Sequence, residues 1–257
     1  MSRIFITGSS DGLGSLTAQR LISQGHRVVL HARSSSRAKD AESACPGAET
    51  TVIGDLSTLS GMRSVADQVN KLGRFDAVVH NAGLYTGPFR KTADGLPSLT
   101  AVNTVAPYVL TCLIQRPKRL VFVSSGLHQG GDASLQDLNW KQRGEKSWND
   151  SQAYADSKLH NIMLASAFAR KWNMPSHSVD PGWVKTKMGG ASAMDDLDAA
   201  VETFAMVAAG DGQSGKVKSE HWYQKKVRDC RDEARDVDTQ EKLLGILEGI
   251  SGVKVPQ

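Results

Sequence analysis

Cysteine is scarce in this chain of 257 residues. Only Cys45, Cys112 and Cys230 occur, an odd number, far apart and without a C-x-x-C pair. That argues against a disulfide framework and leads us to expect a cytoplasmic protein. Cys/His spacing of the kind that ligates metals is also missing, so no metal is expected. No apolar run approaches the roughly 18 residues of a membrane span, so none is expected. Met1-Ser2-Arg3 leads straight into Ile4-Phe5-Ile6, so no signal peptide is expected either. Charge of one sign is not concentrated: the net charge is +4 and the isoelectric point about 8.9. An ordinary solvated surface accounts for this, and a nucleic-acid partner is not expected.

Hydrophobic residues make up 40% and charged residues 23%, as in a soluble globular protein. The length suits one large α/β domain over residues 1–257 and is too short for a second full domain. Short apolar runs alternate with longer amphipathic stretches. Arg3–Thr7, Arg27–His31, Thr51–Ile53, Phe75–Val79, Arg119–Val123 and Ser176–Val179 read as strands. Leu13–Gln24, Leu59–Leu72, Leu99–Ile114 and Gln152–Trp172 read as helices, with a bend or break expected at Pro107. Trp222 and Tyr223, within the charged stretch Asp211–Asp238, offer a last strand. This alternation predicts a Rossmann-type, doubly wound parallel sheet of about seven strands, with helices on both faces. Gly126–Asp150 and Lys185–Ala193 read as irregular segments.

The first strand runs into Thr7-Gly8-Ser9-Ser10-Asp11-Gly12-Leu13-Gly14, and a helix follows. Glycines there let the backbone approach a pyrophosphate, and a helix N-terminus adds free N–H groups and a positive dipole end. A plain strand-to-helix turn is the alternative, but the context after a strand and before a helix favours a dinucleotide. An acid is absent where NAD-binding folds carry one for the ribose hydroxyls, at the end of the second strand. The chain there reads His31-Ala32-Arg33-Ser34-Ser35-Ser36-Arg37, and the first acid is Asp40. The planar fork of Arg33 suits the adenine and the 2′-phosphate, and Ser34 and Arg37 can add contacts. NADP(H) is therefore expected over NAD(H), against the alternative of two surface arginines on a solvated loop. Asp11 cuts the other way, unless it simply serves the turn.

Tyr154 and Lys158 are four residues apart, so phenol and ammonium share a helical face. A free tyrosine has a pKa of roughly 10 and is a poor acid/base at neutral pH. Neighbouring positive charge, from Lys158 and an oxidised nicotinamide, favours the phenolate and tunes it for proton transfer. Alone, this pair could equally be a surface ion–phenol pair on any helix.

The ordered set changes that. The glycine spacing T-G-x-x-x-G-x-G, the Y-x-x-x-K pair, and Asn81-Ala82-Gly83 after the fourth strand resemble the short-chain dehydrogenase/reductase family, single-domain class. The resemblance runs from Arg3 to about Met188. It implies an oxidoreductase that interconverts a carbonyl and an alcohol by hydride transfer. It assigns Gly8, Ser10, Asp11, Gly12, Leu13 and Gly14 to the cofactor turn. Asp55-Leu56 would flank the adenine, although Asp55 can instead cap the next helix. Asn81, Ala82 and Gly83 would pack beside the cofactor. Ser125 would hold the substrate carbonyl, with Ser124 as the alternative. Asn103 would hold a water in a proton relay, and Lys158 would also bind the nicotinamide ribose. In Asp180-Pro181-Gly182-Trp183-Val184-Lys185-Thr186, the residues Pro181, Gly182, Val184 and Thr186 would face the nicotinamide carboxamide or phosphate.

Four features depart from the common pattern, the first being a short stretch from Asn103 to the fifth strand that contains Pro107 and Pro117. His80 stands where an asparagine is usual, and Asp180 is an unusual residue before the Pro-Gly pair. The 29 positions from Ser125 to Tyr154 exceed the usual gap and resemble the retinol-dehydrogenase-like and carbonyl-reductase-like branch. Substrate-pocket segments are therefore expected at about 126–150 and 185–210. Trp140, Trp148 and Trp183, joined by Leu84, Tyr85, His128 and Met188, would suit a hydrophobic or aromatic ketone or aldehyde; each can also be ordinary core. The family also assembles as homodimers or homotetramers, and a monomer is equally open here. The rivals are a dinucleotide-sensing or scaffold protein without turnover, and an epimerase or dehydratase of the extended branch, which the glycine spacing and short C-terminal region disfavour.

Overall fold

The computed structural model describes all 257 residues. Apolar residues alternate along each strand so that both faces of the sheet are greasy, and both are covered by helices. Ile4 and Ile6 of β1 (Arg3–Ile6) point to one side and Phe5 to the other. The same alternation divides Val28 and Leu30 from Val29 in β2 (Arg27–Ala32). A strand buried on both faces is the signature of a parallel α/β sheet.

The remaining strands are β3 (Thr50–Ile53), β4 (Ala77–His80), β5 (Arg119–Val123), β6 (Ser176–Asp180), β7 (His221–Tyr223) and β8 (Lys226–Val227). Their spatial order is β3-β2-β1-β4-β5-β6-β7-β8. All neighbours pair in parallel except β7 and β8, which form a small antiparallel hairpin at the edge. That two-residue β8 makes eight strands where about seven were expected. The chain winds outward from β1 in one direction and, after β3, returns to β4 in the other. The crevice between β1 and β4 is thus the topological switch point, the usual ligand position in such sheets.

Helices α1 (Gly12–Ser23) and α7 (Leu197–Ala209) pack on one face. The other face carries α3 (Leu59–Lys71), the α4–α5 segment, α6 (Asp150–Trp172) and α8 (Val237–Ser251), around the larger core. A further helix, α2 (Ser35–Ala44), follows β2. Neither α2 nor α8 stood out in the sequence; α7 did not either, and it falls within the segment 185–210 expected beside a pocket. Helix α2 is serine-rich and buries only Ala38 and Ala41, and α8 carries its leucines inside a charged tail.

The expected helix Leu99–Ile114 is interrupted. One turn, α4 (Ser98–Thr100), passes into a π-helical turn, Ala101–Val105, and then into α5 (Ala106–Leu113). Pro107 has no N–H and cannot bond the carbonyl four residues back, which is that of Asn103. The Ala106 N–H reaches back five residues to Ala101. The proline therefore widens the turn instead of bending the helix, and places Asn103 in it.

Helix α6 is buried around most of its circumference, has Asn149 as N-cap and ends at Asn173 with φ +51°. Phe122 of β5 stacks on Phe168 of α6 with ring centroids 6.3 Å apart, and on its strand neighbour His80 at 4.8 Å. Both phenylalanines are fully buried. Phe122→Ala should lower the unfolding free energy by about 3–5 kcal/mol, measured by chemical denaturation.

Candidate active site

The crevice floor is built first from glycine. Gly8 has φ +63°, and a Cβ there would come within 2.7 Å of the Ala82 Cα; one on Gly14 would lie 2.4 Å from Asn81 Nδ2. Only backbone without side chains lets β1, β4 and α1 approach this closely. Asn81 and Ala82 turn out to hold the turn. Asn81 Nδ2 donates to the carbonyls of Thr7 (2.9 Å) and Gly8 (3.0 Å), and the backbone N–H groups of Asn81 and Ala82 each donate to Thr7 Oγ1 at 3.0 Å.

One further turn-holder escaped the sequence reading. His31, buried at the end of β2, accepts from the Gly8 N–H at Nδ1 (3.0 Å) and donates from Nε2 to the Gly54 carbonyl (2.9 Å). These two bonds define its neutral tautomer. Burial pushes its pKa down to about 4, which keeps it neutral and able to accept. It looked like ordinary strand, and its role needs β1, β2 and β3 in register to be seen.

Ser10, Asp11, Gly12 and Leu13 lie partly exposed on the turn. Asp11 is flanked by two cations. Lys187 Nζ lies 2.6 Å from its carboxylate and Arg37 3.3 Å, and the Lys187 hydrogen bond leads in holding its pKa below the usual range. Asp11 is also the N-cap of α1, so it serves the turn as well as the cation pair. Arg33 is exposed beside the turn. Asp55 accepts from the Ser57 N–H (2.9 Å), while Thr58, not Asp55, caps α3; Leu56 is core.

At the end of β5 four residues converge. Lys158 of α6 is buried, and its Nζ donates to the Val123 carbonyl at 3.0 Å. Asn161, one turn on, donates to the same oxygen at 2.9 Å. Ser124 donates its hydroxyl to the Lys158 carbonyl at 2.8 Å and is buried. Ser125, partly exposed, lies beside Tyr154 and favours its ionised form, while its Oγ accepts from the Leu127 N–H at 3.3 Å. The two adjacent serines thus do different things: Ser124 is committed to the helix, and Ser125 faces the phenol. Lys158 Nζ sits 5.2 Å from the centre of the Tyr154 ring, confirming the shared helical face.

Asn103 is buried in the π turn. Oδ1 accepts from the Leu84 N–H (2.7 Å), and Nδ2 donates both its hydrogens, to the Leu84 carbonyl (2.9 Å) and Ser157 Oγ (3.1 Å). It therefore positions the Gly83-Leu84 segment that follows β4. A Cβ on Gly83 would sit 3.5 Å from Asn103 Oδ1 and 3.7 Å from Lys158 Nζ. This side-chain-free trough, leading from the glycine turn to an ammonium with a single protein acceptor, fits a dinucleotide whose ribose hydroxyls take the remaining Lys158 protons.

Burial governs the charges. It pushes the Tyr154 phenol up, opposed by neighbouring Ser125, with Tyr85 and Asp180 adding to the rise. It pulls Lys158 down to about 8, opposed by Asp180. The lowering of the tyrosine expected from Lys158 is not found in the protein alone, where burial raises it.

On the far side, Pro181 and Gly182 follow β6. A parallel bridge between Val184 and Asp195 closes the loop that holds Thr186 and Lys187. A Cβ on Gly12 would lie 3.9 Å from that of Thr186, so this loop and the glycine turn face each other across the crevice. Trp140 is core, packed on Trp148 at 4.8 Å and in one cluster with Tyr154. His128 is buried and donates from Nδ1 to the Ser125 carbonyl (2.7 Å). The apolar side chains left exposed include Leu84, Tyr85, Leu127, Trp183, Met188 and Met194. Tyr85 stands edge-on to Tyr154 at 4.7 Å.

The sequence model of the short chain dehydrogenase family matches residues 2–131. A short-chain dehydrogenase of Penicillium rubens, chyC, is 42% identical over 257 residues, covering 100% of both chains. This chain belongs to the short-chain dehydrogenase/reductase family. Human retinol dehydrogenase 14 is 33% identical over 214 residues, covering 72% of this chain and 62% of that protein, which places the chain in the retinol-dehydrogenase-like branch. An uncharacterised protein from Mycobacterium paratuberculosis shares the fold with TM-score 0.83 at 24% identity, covering 100% and 96% of the two chains. So does a Burkholderia multivorans short-chain dehydrogenase/reductase solved with bound NADP, with TM-score 0.66 at 22% identity, covering 88% and 97%. The chain is an NAD(P)-dependent oxidoreductase acting on CH–OH groups. No helix is long and apolar enough to cross a membrane.

The buried lysine makes a stability prediction. Between pH 8 and about 10 the unfolded chain still holds a proton that folded Lys158 has released, so this group makes unfolding free energy rise with pH there. Relative to Lys158→Met, the wild type should gain roughly 1–2 kcal/mol between pH 7.5 and 9.5, measured by urea denaturation at both values. An equal pH response in the two proteins contradicts the assignment.

Proposed function

We propose that this chain interconverts a hydrophobic or aromatic ketone or aldehyde and its alcohol, using NADP(H), with Tyr154 as the acid/base. The observation that carries this is the gathering of Ser125, Tyr154, Lys158 and Asn103 at the end of β5, beside the glycine trough of the β1–β4 crevice. The turn from Gly8 to Gly14, with Asn81, Ala82 and Gly83, would hold the dinucleotide. Arg33, with Ser34, would take the 2′-phosphate, and Arg37 would join them by giving up its pairing with Asp11 and Asp40, at 3.3 and 3.0 Å. The NADP bound in the Burkholderia neighbour is in keeping with that preference. Asp55 and Leu56 would flank the adenine. Pro181, Gly182, Val184 and Thr186 would close on the nicotinamide end. When bound, the cofactor supplies or accepts the hydride at the carbonyl carbon.

The chain's own part is position and proton transfer. In the reductive direction Ser125 donates its hydroxyl hydrogen to the substrate oxygen and orients the carbonyl. Tyr154 then delivers its phenolic proton to that oxygen. Burial that keeps the phenol protonated suits it as the acid in this direction. Lys158, held by Val123, places positive charge beside the phenolate that results. Asn103 acts through Leu84 and Ser157, fixing the loop that walls the pocket. The exposed apolar group from Leu84 to Met194 would form the rim, with segments 126–150 and 185–196 as its walls; the remainder of the expected 185–210 segment is α7, packed into the core on the α1 side of the sheet.

NADPH and NADH oxidation should be followed against a panel of apolar ketones and aldehydes. Tyr154→Phe should lower kcat at least about 100-fold while NADPH binding stays within about threefold. Turnover that survives the substitution removes the tyrosine assignment. Tight NADPH binding with no turnover on any substrate favours a dinucleotide sensor. Arg33→Ala should weaken NADPH binding about tenfold and leave NADH nearly unchanged; equal losses would remove the 2′-phosphate role.

A further inference from the structure

Asp180 has no part in the reaction as described, yet it is the buried carboxylate of the site. It ends β6 and is 2% exposed. Oδ1 accepts from the Gly182 N–H at 2.8 Å. The carboxylate also lies against Gly126, next to Ser125, where a Cβ would sit 3.4 Å from Oδ2. Oδ2 lies 3.4 Å from Nη1 of Arg228, whose side chain is half-exposed. An uncharged side chain could accept the Gly182 hydrogen bond equally well. A buried charge, by contrast, is costly and needs such partners to persist.

The charge count around it is informative. Lys158 is a buried cation, and Asp180 is the carboxylate that favours its charged form. Burial raises the Asp180 pKa, opposed by the Gly182 hydrogen bond, by the cation Arg228 and by the titratable His128. Arg228 is solvated on one side and screened, and His128 is buried with its pKa pushed down. Lys158 and Asp180 together leave the dry part of the site close to neutral. Without Asp180 that part carries one net positive charge.

The two redox forms of a nicotinamide dinucleotide share their phosphates and adenosine and differ by one positive charge on the ring. That ring must lie against the carbonyl carbon held by Ser125 and Tyr154. Asp180 packs against the residue after Ser125 and is bonded to the turn opposite.

We propose that Asp180 sets the redox-form preference of the site, stabilising the oxidised, positively charged nicotinamide ring relative to the neutral reduced ring. This rests on the dinucleotide reading above. A residue with only a structural role would alter binding of both forms alike, whereas a charge at the ring separates them.

The test is equilibrium binding, by calorimetry, of NADP+ and NADPH to wild type, Asp180→Asn and Arg228→Gln, with circular dichroism confirming the fold. Asp180→Asn should weaken NADP+ about tenfold, or about 1.4 kcal/mol, and leave NADPH within about twofold. Arg228→Gln removes the opposing charge and should shift the ratio the other way, tightening NADP+ relative to NADPH by at least about twofold. If Asp180→Asn does not fold, the Arg228→Gln ratio decides. Equal changes for both forms, or an unchanged ratio in the folded variants, overturn the proposal while leaving the dinucleotide site intact. A wild-type protein that binds neither form overturns the dinucleotide reading itself, and this inference with it.

Discussion

The Val123 carbonyl accepts two hydrogen bonds from one helix: Lys158 Nζ at 3.0 Å and Asn161 Nδ2 at 2.9 Å. The next residue returns the tie, with Ser124 donating to the Lys158 carbonyl at 2.8 Å. Strand end and helix are thereby locked over a single turn in a dry interior, where such bonds are strong and costly to leave unmade. The rest of the site follows from that lock. Ser125 is the first residue past it and is free to face outward. Tyr154 stands one turn before Lys158 and meets Ser125 there. A shift of α6 by one residue would break all three bonds and separate the serine from the phenol.

The same burial sets the chemistry. A dry pocket raises the phenol and lowers the ammonium, so each is displaced toward its neutral form. Asp180 leans on both, favouring the charged lysine and the neutral tyrosine. The protein alone is therefore poised with a protonated phenol next to a readily discharged lysine. On the proposed reading, entry of a positively charged ring would change that balance and tie acid/base state to redox state. Asn103 shows another use of constraint: a proline four residues on forces a π turn, and the turn aims an amide that is then consumed in holding Leu84.

Much of this was legible in the residues. The glycine spacing, the four-residue step from Tyr154 to Lys158, and the strand rhythm are short-range patterns, and the structure assembles them at one crevice. The split between Ser124 and Ser125 was not legible, because adjacent strand-end serines differ only in what the helix above offers them. His31 was invisible for the same reason, since its partners Gly8 and Gly54 come from two other strands. Helices α2 and α8 lacked a clean apolar stripe and so gave no periodic signal. Trp140 and Trp183 looked alike in sequence, yet the first is core and the second is half-exposed at the pocket rim; tertiary packing alone separates them.

The central claim is that hydride passes within this crevice to a carbonyl that Ser125 and Tyr154 hold. It is tested most directly with NADPH deuterated at C4 of the nicotinamide, on each face in turn, and an accepted apolar ketone. The account predicts that deuterium from one face appears on the carbinol carbon of the alcohol, with none lost to water, as read by mass spectrometry. Alcohol formed without deuterium from either face, or with the label released to solvent, would contradict it.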